Sequence, residues 1–221
     1  VCCIPALTGA WRDVGGGIHQ MTFWEHPYKL DVIAQPDFIP EGTRVINSLQ
    51  IGRALVGEIP LDPPVKSMMC WNANPVAQAP ESGKIVAGLL REDLFLISAE
   101  HFISDTAVYA DIVLPASMGA EMEDIILSWG HNYLTYNTKC VESPGEAISN
   151  KEIFRRLSTR MGFEEDCFKW SDSECLENFV DWDSAACEEI DLQYLREHGF
   201  PRLAIGTPDD RAPHKEGNFP T

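Results

Sequence analysis

Three short apolar runs, each closed by turn-forming residues, constrain this chain more than any other feature. Val65-Lys66-Ser67-Met68-Met69-Cys70-Trp71 ends in Asn72-Ala73-Asn74-Pro75. Leu94 to Ser98 runs into Ala99-Glu100-His101-Phe102, and Asp111 to Leu114 stops at Pro115. Mostly apolar runs of this length fit strands buried on both faces. Between the first two lies a helical pattern from Lys84 to Arg91, with Ile85, Val86, Leu89 and Leu90 on one side. Between the second and third, Ser104 or Asp105 can cap a short helix through Tyr109, because such side chains accept from first-turn amides. Strand, helix, strand, short helix, strand at this spacing predicts an α/β fold with a parallel sheet and right-handed crossovers. In such sheets ligands gather at the carboxyl ends of the strands. Two loops fall there, Asn72–Pro75 and Ala99–Thr106.

The flanks read less regularly. Residues 1–11 resemble the end of an amphipathic helix, stopped by Gly15-Gly16-Gly17. With no initiating Met and no charged leader, the opening reads as a helix cut through, and the chain as a piece of a larger protein. Residues 20–42, with Pro27, Pro36 and Pro40, read as a long ordered loop, and Thr43 to Gly57 as a helix. Ser149-Asn150-Lys151-Glu152 forms a capping box. It opens a helix whose apolar face is Ile153, Phe154, Leu157 and Met161 and whose stop is Gly162. Tyr194 to Gly199 reads as a second short helix with its glycine stop.

Charge excludes some functions. The formal charge of −17 lacks the basic face that non-specific binding to nucleic acid or anionic membrane demands. Ten acids and one lysine, Lys169, fall between Glu164 and Glu189, which reads as a solvated, partly irregular surface segment. No apolar run approaches the roughly eighteen residues of a bilayer span, so no direct membrane insertion is expected. Seven cysteines form no C-x-x-C pair, no zinc-spaced cluster with histidine and no iron–sulfur motif, and read as reduced, mostly buried thiols.

Several small motifs fail on inspection. Glu81-Ser82-Gly83-Lys84 lacks the first glycine and the hydroxyl of a phosphate loop. Pro115-Ala116-Ser117-Met118-Gly119 has proline where a nucleophile elbow has glycine. Histidines 19, 26, 101, 131, 198 and 214 are scattered without helical pairing, and Glu121 with Glu123 fits a solvated face. The collective case is stronger. Glu100 at a strand end can accept from a ribose diol or a guanine edge, and Asn72 and Asn74 offer donors and acceptors on the neighbouring strand end. Asn150 at a helix N-terminus adds amides beside a partial positive charge. Together on one sheet edge they fit a nucleotide-bearing ligand.

These same stretches carry a family resemblance. NANP, then DLFLISAEHFISDTAVYADIVLPASMGAE, then SPGEAISNKEIFRRLSTRMGF resemble the molybdopterin oxidoreductase family of the dimethyl sulfoxide reductase type. That family carries an "NP" loop, an "F-x-T-E-T-A-x-x-A-D-I-V-L-P" stretch and a following acidic residue. ALTGAWRDVGGGIH resembles its "L-T-G-(…)-G-G-G" segment, and EGNFPT the segment before its last domain. The likeness is best over 65–162.

The resemblance implies a fragment of a large catalytic subunit carrying a molybdenum or tungsten bis(molybdopterin guanine dinucleotide) cofactor. This chain would be its third domain, a Rossmann-like, mostly parallel sheet flanked by helices that holds one guanosine arm. Residues 1–64 would be a lead-in, 65–162 the dinucleotide-binding core and 163–221 an acidic C-terminal segment. Asn72 or Asn74 would touch the dinucleotide, and Ala99 with Glu100 would occupy the family's ribose or guanine contact. Asn150 stands where the family often has Asp. The metal-ligating and iron–sulfur residues would lie elsewhere, leaving the fragment inactive alone and without bound cofactor. Its partners would be other domains of the parent chain, with iron–sulfur or membrane-anchor subunits beyond. Two rival readings are a cofactor-free scaffold of the same fold in an electron-transfer complex, and an unrelated Rossmann-like nucleotide-binding domain.

Overall fold

A computed structural model describes residues 3–18, 22–127 and 129–205. The EGNFPT stretch, His19 and His214 lie outside the described residues. In chain order the helices and strands begin with α1 (Ile4–Thr8), α2 (Leu30–Ala34) and α3 (Ile51–Leu55). Next come β1 (Ser67–Trp71), α4 (Pro75–Gln78), α5 (Ser82–Leu89), β2 (Phe95–Glu100) and β3 (Ile112–Pro115). The chain continues through β4 (Asp124–Ile126), β5 (Thr135–Asn137), α6 (Asn150–Met161), α7 (Asp172–Phe179) and α8 (Leu192–His198). Contacts group the residues into two units, one of 35–122 with 139–169, the other of 1–34, 123–138 and 170–221.

The first unit contains the expected sheet. Its order is β1-β2-β3, and both pairings are parallel. The register sets Trp71 beside Ala99 and Glu100 beside Pro115, so the three strands end level with one another. Layers pack on both faces of the central strand β2, while Ile112 and Val113 of the edge strand β3 remain exposed. On one side Cys70, Leu94 and Leu96 pack with Leu55, Ile85 and Leu89 of α3 and α5. On the other, Ala99 and Ala116 pack with Ile153 of α6 and with Met69, Leu114 and Ile148.

Helices α3 and α5 approach closely because each supplies a glycine to the other. A Cβ on Gly88 would lie 2.3 Å from Leu55 Cβ, and one on Gly52 would lie 3.0 Å from Ile85 Cγ1. Arg91 closes this layer by donating to the Leu55 carbonyl (2.9 Å) and the Val65 carbonyl (3.2 Å). Its guanidinium also grips Asp93 with two bonds, Nε to Oδ1 at 2.9 Å and Nη2 to Oδ2 at 3.0 Å. Lys66 adds an ion pair to the same carboxylate.

The Thr43–Gly57 helix is shorter than its pattern predicts. The Asn47 side chain accepts from the Leu49 amide at 2.9 Å while its own backbone stays extended, so the helical path begins only at Ser48. Val45 and Leu49 are exposed and contribute nothing to the core. The box at 149–152 is half formed. Ser149 accepts from the Glu152 amide at 3.2 Å, but Glu152 turns to Arg155 and Arg156 instead of reaching back. Gly162 stops α6 in the left-handed conformation, as its position implies.

The second unit corrects in part the reading of 164–189, of which it contains 170–189. This acidic stretch contains α7 and supplies four buried members of a core, Leu176, Phe179, Val180 and Cys187, joined by Ile125, Leu134, Leu192, Leu195 and Leu203. The acids occupy the outward positions. Helix α7 also has the complete capping box, with Ser171 accepting from the Glu174 amide at 3.2 Å and Glu174 accepting from the Ser171 amide at 2.8 Å. Antiparallel β4 and β5 form a small hairpin, and Tyr28 stacks on Phe179 with centroids 4.7 Å apart. The stretch 20–42 is not wholly loop, since α2 lies within it.

Candidate functional site

Parallel strands leave their last backbone groups and side chains at one edge, beyond the packed layers. At that edge Asn72, Ala73, Asn74, Gln78, Ala99, Glu100, His101, Ala116 and Asn150 line a cleft of about 210 Å³. All five residues singled out from the sequence, Asn72, Asn74, Ala99, Glu100 and Asn150, are among them. They come from three places: the turn after β1, the end of β2 and the first turn of α6.

The two asparagines of the β1 turn have different surroundings. Asn72 is exposed, with its backbone in the left-handed region at φ 51°, a conformation Asn tolerates better than most residues. Its side chain faces the cleft without a hydrogen bond to the described residues. The Asn74 amide is largely engaged, with one Nδ2 hydrogen left over. Its Oδ1 accepts from the Thr106 hydroxyl at 2.7 Å and from the Thr106 amide at 3.1 Å, while its Nδ2 donates to Asp105 at 3.2 Å. Gln78 accepts from the Asn74 backbone amide at 3.0 Å. Of the pair, Asn72 is the residue whose side-chain amide is wholly free of bonds to the described residues.

Ala99 is buried, and its small side chain keeps the floor of the cleft low. Glu100 is half-buried and accepts the His101 amide on Oε1 at 2.9 Å. His101 Nε2 lies 3.0 Å from the Ser117 carbonyl; a carbonyl only accepts, so this nitrogen donates. Asn150 opens α6 directly after its Ser149 cap, and its Oδ1 is buried without a hydrogen-bond partner. A buried, unpaired amide oxygen costs free energy unless something donates to it. The cleft therefore brings together a carboxylate, a free asparagine and the start of a twelve-residue helix, where Asn150 carries a buried, unpartnered amide oxygen. That set is complementary to a flat polar group bearing several N–H or O–H donors, with an anionic portion near the helix start.

The rest of the candidate chemistry is accounted for structurally. Ser104 accepts from the Ala107 amide at 3.3 Å, but the short helical turn Ala107–Tyr109 has Thr106 at its N-cap, so neither Ser104 nor Asp105 is the cap expected. Lys84, of the stretch resembling a phosphate loop, pairs with Glu58 at 2.9 Å and Glu81 at 2.7 Å. Ser117 is buried and bonded to Ser143 at 2.7 Å. Glu121 accepts from the Met118 amide, and Glu123 binds the Tyr136 hydroxyl (2.6 Å) and Arg196 (3.2 Å), so neither is simply a solvated acid. Among the described residues no cluster of three His, Cys, Asp or Glu could hold a metal. Gln78 lines the cleft but escapes a reading by strand ends. The only signal for Gln78 is its place four residues after Asn74, one helical turn from a turn-closing Asn-Pro.

Residues 20–160 match the molybdopterin oxidoreductase family. Over 90% of its length the chain is 38% identical to the probable oxidoreductase YoaE of Bacillus subtilis, of which it covers 29%. It is 25% identical, over 79% of its length, to the thiosulfate reductase molybdopterin-containing subunit PhsA of Salmonella typhimurium, covering 23% of that protein. Its fold is similar to that of acetylene hydratase from Pelobacter acetylenicus, with a TM-score of 0.58 at 22% identity over 73% of this chain and 21% of the other. The chain thus spans less than a third of each of these relatives. With a parallel sheet, a polar cleft at its carboxyl edge and a family match running through both, the chain belongs to the molybdopterin oxidoreductase family.

Proposed function

We propose that this chain is the portion of a molybdenum- or tungsten-dependent oxidoreductase that holds one guanosine arm of a bis(molybdopterin guanine dinucleotide), and that it has no activity apart from its parent. The observation that carries the reading is the cleft formed by Glu100, Asn72 and Asn150, with the buried Asn150 Oδ1 lacking a donor. A guanine edge supplies N–H donors and a ribose supplies O–H donors, which match a carboxylate and an orphaned amide oxygen. Ala99 would lie beneath the ligand, and the first-turn amides of α6 would face an anionic group. At about 210 Å³ the cleft suits one nucleoside-sized arm and is below the about 300–1,000 Å³ of a site enclosing a larger molecule. The cofactor would supply two-electron or oxygen-atom transfer at its metal. This chain's residues would bind and orient the distal end of that group. The other contacts, and the residue that ligates the metal, would come from other domains of the parent chain, with iron–sulfur or membrane-anchor subunits as partners. Among the described residues no helix is long and apolar enough to cross a membrane.

The test is to purify the full-length protein, measure molybdenum, tungsten and pterin, and quantify GMP released by mild acid. The expected result is metal, pterin and a stoichiometric guanine nucleotide, with Glu100→Gln and Asn150→Ala each weakening nucleotide retention about tenfold or more. A protein with neither metal nor pterin would overturn the reading.

A further inference from the structure

We infer that Thr106 is a positioning residue for this cleft, acting through Asn74 to hold the turn after β1 against the loop after β2 in the geometry that receives the ligand. The inference rests on the proposed nucleotide-binding role and adds to it a residue that does not itself line the cleft.

Thr106 is completely buried, which is unusual for a polar residue in a loop at a sheet edge. Its hydroxyl donates to Asn74 Oδ1 at 2.7 Å and accepts from the Val76 amide at 3.1 Å. Its own amide also donates to Asn74 Oδ1, so one asparagine oxygen takes both donors of one threonine. Asp105 accepts from Asn74 Nδ2, which fixes the amide in the orientation that turns its oxygen toward Thr106. The clasp joins residues 32 apart in sequence. Each loop it joins carries or adjoins groups that line the cleft, Asn72 and Ala73 on one side and His101, next to Ala99 and Glu100 of β2, on the other.

Core packing does not require this arrangement. The strands are already registered by their own ladder, which ends at Trp71 and Ala99. The clasp acts beyond the ladder, where backbone groups have no strand partner, and two residues after Asn72 in its left-handed conformation. Non-glycine residues hold such a conformation where their surroundings over-determine it, commonly at ligand sites. Binding to loops already fixed avoids the ordering cost that mobile loops would impose on affinity.

The experiment uses the full-length protein, with acid-released GMP as the measure of cofactor retained after prolonged dialysis and hydrogen exchange of the Val76 and Thr106 amides as the measure of the clasp. Thr106→Val keeps the shape but removes the hydroxyl, leaving the Val76 amide unpaired; Thr106→Ser restores the hydroxyl. The expected result is that Thr106→Val speeds exchange at Val76 and speeds nucleotide loss about fivefold or more, and that Thr106→Ser reverses both. Asn74→Ala, which opens the clasp from the other side, should behave like Thr106→Val, and the double variant should be no worse than either alone. If Thr106→Val does not fold, Asn74→Ala with the same two measurements decides the matter. Faster exchange with unchanged retention overturns the inference, because the clasp would then be structural only, and unchanged exchange overturns it because no clasp would exist. A wild-type protein that releases no GMP fails at the earlier step, refuting the nucleotide-binding role and this inference with it.

Discussion

Adding one methyl group at two positions of the same helix should move stability in opposite directions. Gly83 and Gly88 both lie in α5, and a Cβ on Gly83 meets nothing within 4 Å. At Gly88 the new carbon would lie 2.3 Å from Leu55 Cβ, against an ordinary carbon–carbon contact of about 3.5 Å or more. The neighbour would have to withdraw by more than about 1 Å, and Cβ cannot do so without moving the backbone of α3. Leu55 is 2% exposed and Ile85 is fully buried beside it, so the clash falls within a packed layer. Overpacking of this kind costs about 1–3 kcal/mol, against about 0.8–1 kcal/mol gained from alanine's better helix propensity. Because the atom in the way is a Cβ, the cost falls in the upper part of its range. Gly88→Ala should therefore destabilise by about 1–2 kcal/mol, while Gly83→Ala should stabilise by about 0.5 kcal/mol, less than the full gain because it lies in the first turn. Leu55→Ala should not rescue Gly88→Ala, because the atom in conflict survives the truncation. Urea unfolding followed by circular dichroism reads the difference, and α5 amide exchange localises it should the two units unfold separately. If Gly88→Ala proved as stable as wild type, α3 and α5 would not be apposed at that point.

Three further outcomes follow from individual groups. Hydrogen bonds from Arg91 and then Lys66 hold the Asp93 carboxyl far below the usual carboxylate range. A depressed folded pKa contributes stability above the unfolded value of about 3.9 that is lost as pH falls below it, so Asp93→Asn should flatten the acid side of the stability–pH curve, and an unchanged curve would contradict the pairing. Burial first, then the Asp181 carboxylate, pushes the Cys187 thiol up to about 11. That raised value contributes stability at neutral pH that is lost as pH climbs from about 8.5 through the folded value, and at about pH 8 an alkylating reagent should label exposed Cys3 and Cys140 while sparing Cys187, as peptide mass mapping would read. Ser149→Ala removes the acceptor for the Glu152 amide and should cost about 1 kcal/mol, a melting shift of about 2–4 °C that Ser149→Asn should largely restore.

The legible parts of this chain are those whose signals are local. β1, β2 and β3 can be read because each strand is a continuous apolar run ended by Asn, Glu or Pro, and each crossover is short. The unit formed by 1–34, 123–138 and 170–221 is not legible in the same way, since its core draws Ile125, Leu176 and Leu203 from distant segments. Its hairpin has strands of three residues, too short for alternation to emerge, with only Ile125 buried in β4. The acids from 164 to 189 draw attention to charge and away from spacing. Yet Leu176, Phe179 and Val180 turn inward, and Ser171 with Glu174 repeats the signal that marks Ser149 with Glu152. Charge describes the outer face of α7, while its inner face forms part of a core.

The cleft shows the same limit at the scale of single residues. That Asn72, Asn74, Ala99, Glu100 and Asn150 share one edge follows from topology, because parallel strands of matched register bring their carboxyl ends together. Which asparagine remains free does not follow, because it depends on Thr106, 32 residues further on, taking the oxygen of Asn74. A strand end is where the ladder stops supplying hydrogen-bond partners, so every polar group there must find a side chain, water or a ligand. Asn74 finds a threonine. Asn72 finds nothing within the described residues, and neither does Asn150 Oδ1, which is buried as well. The groups that satisfy one another build the wall of the cleft, and the groups left over are the ones with bonds still to make.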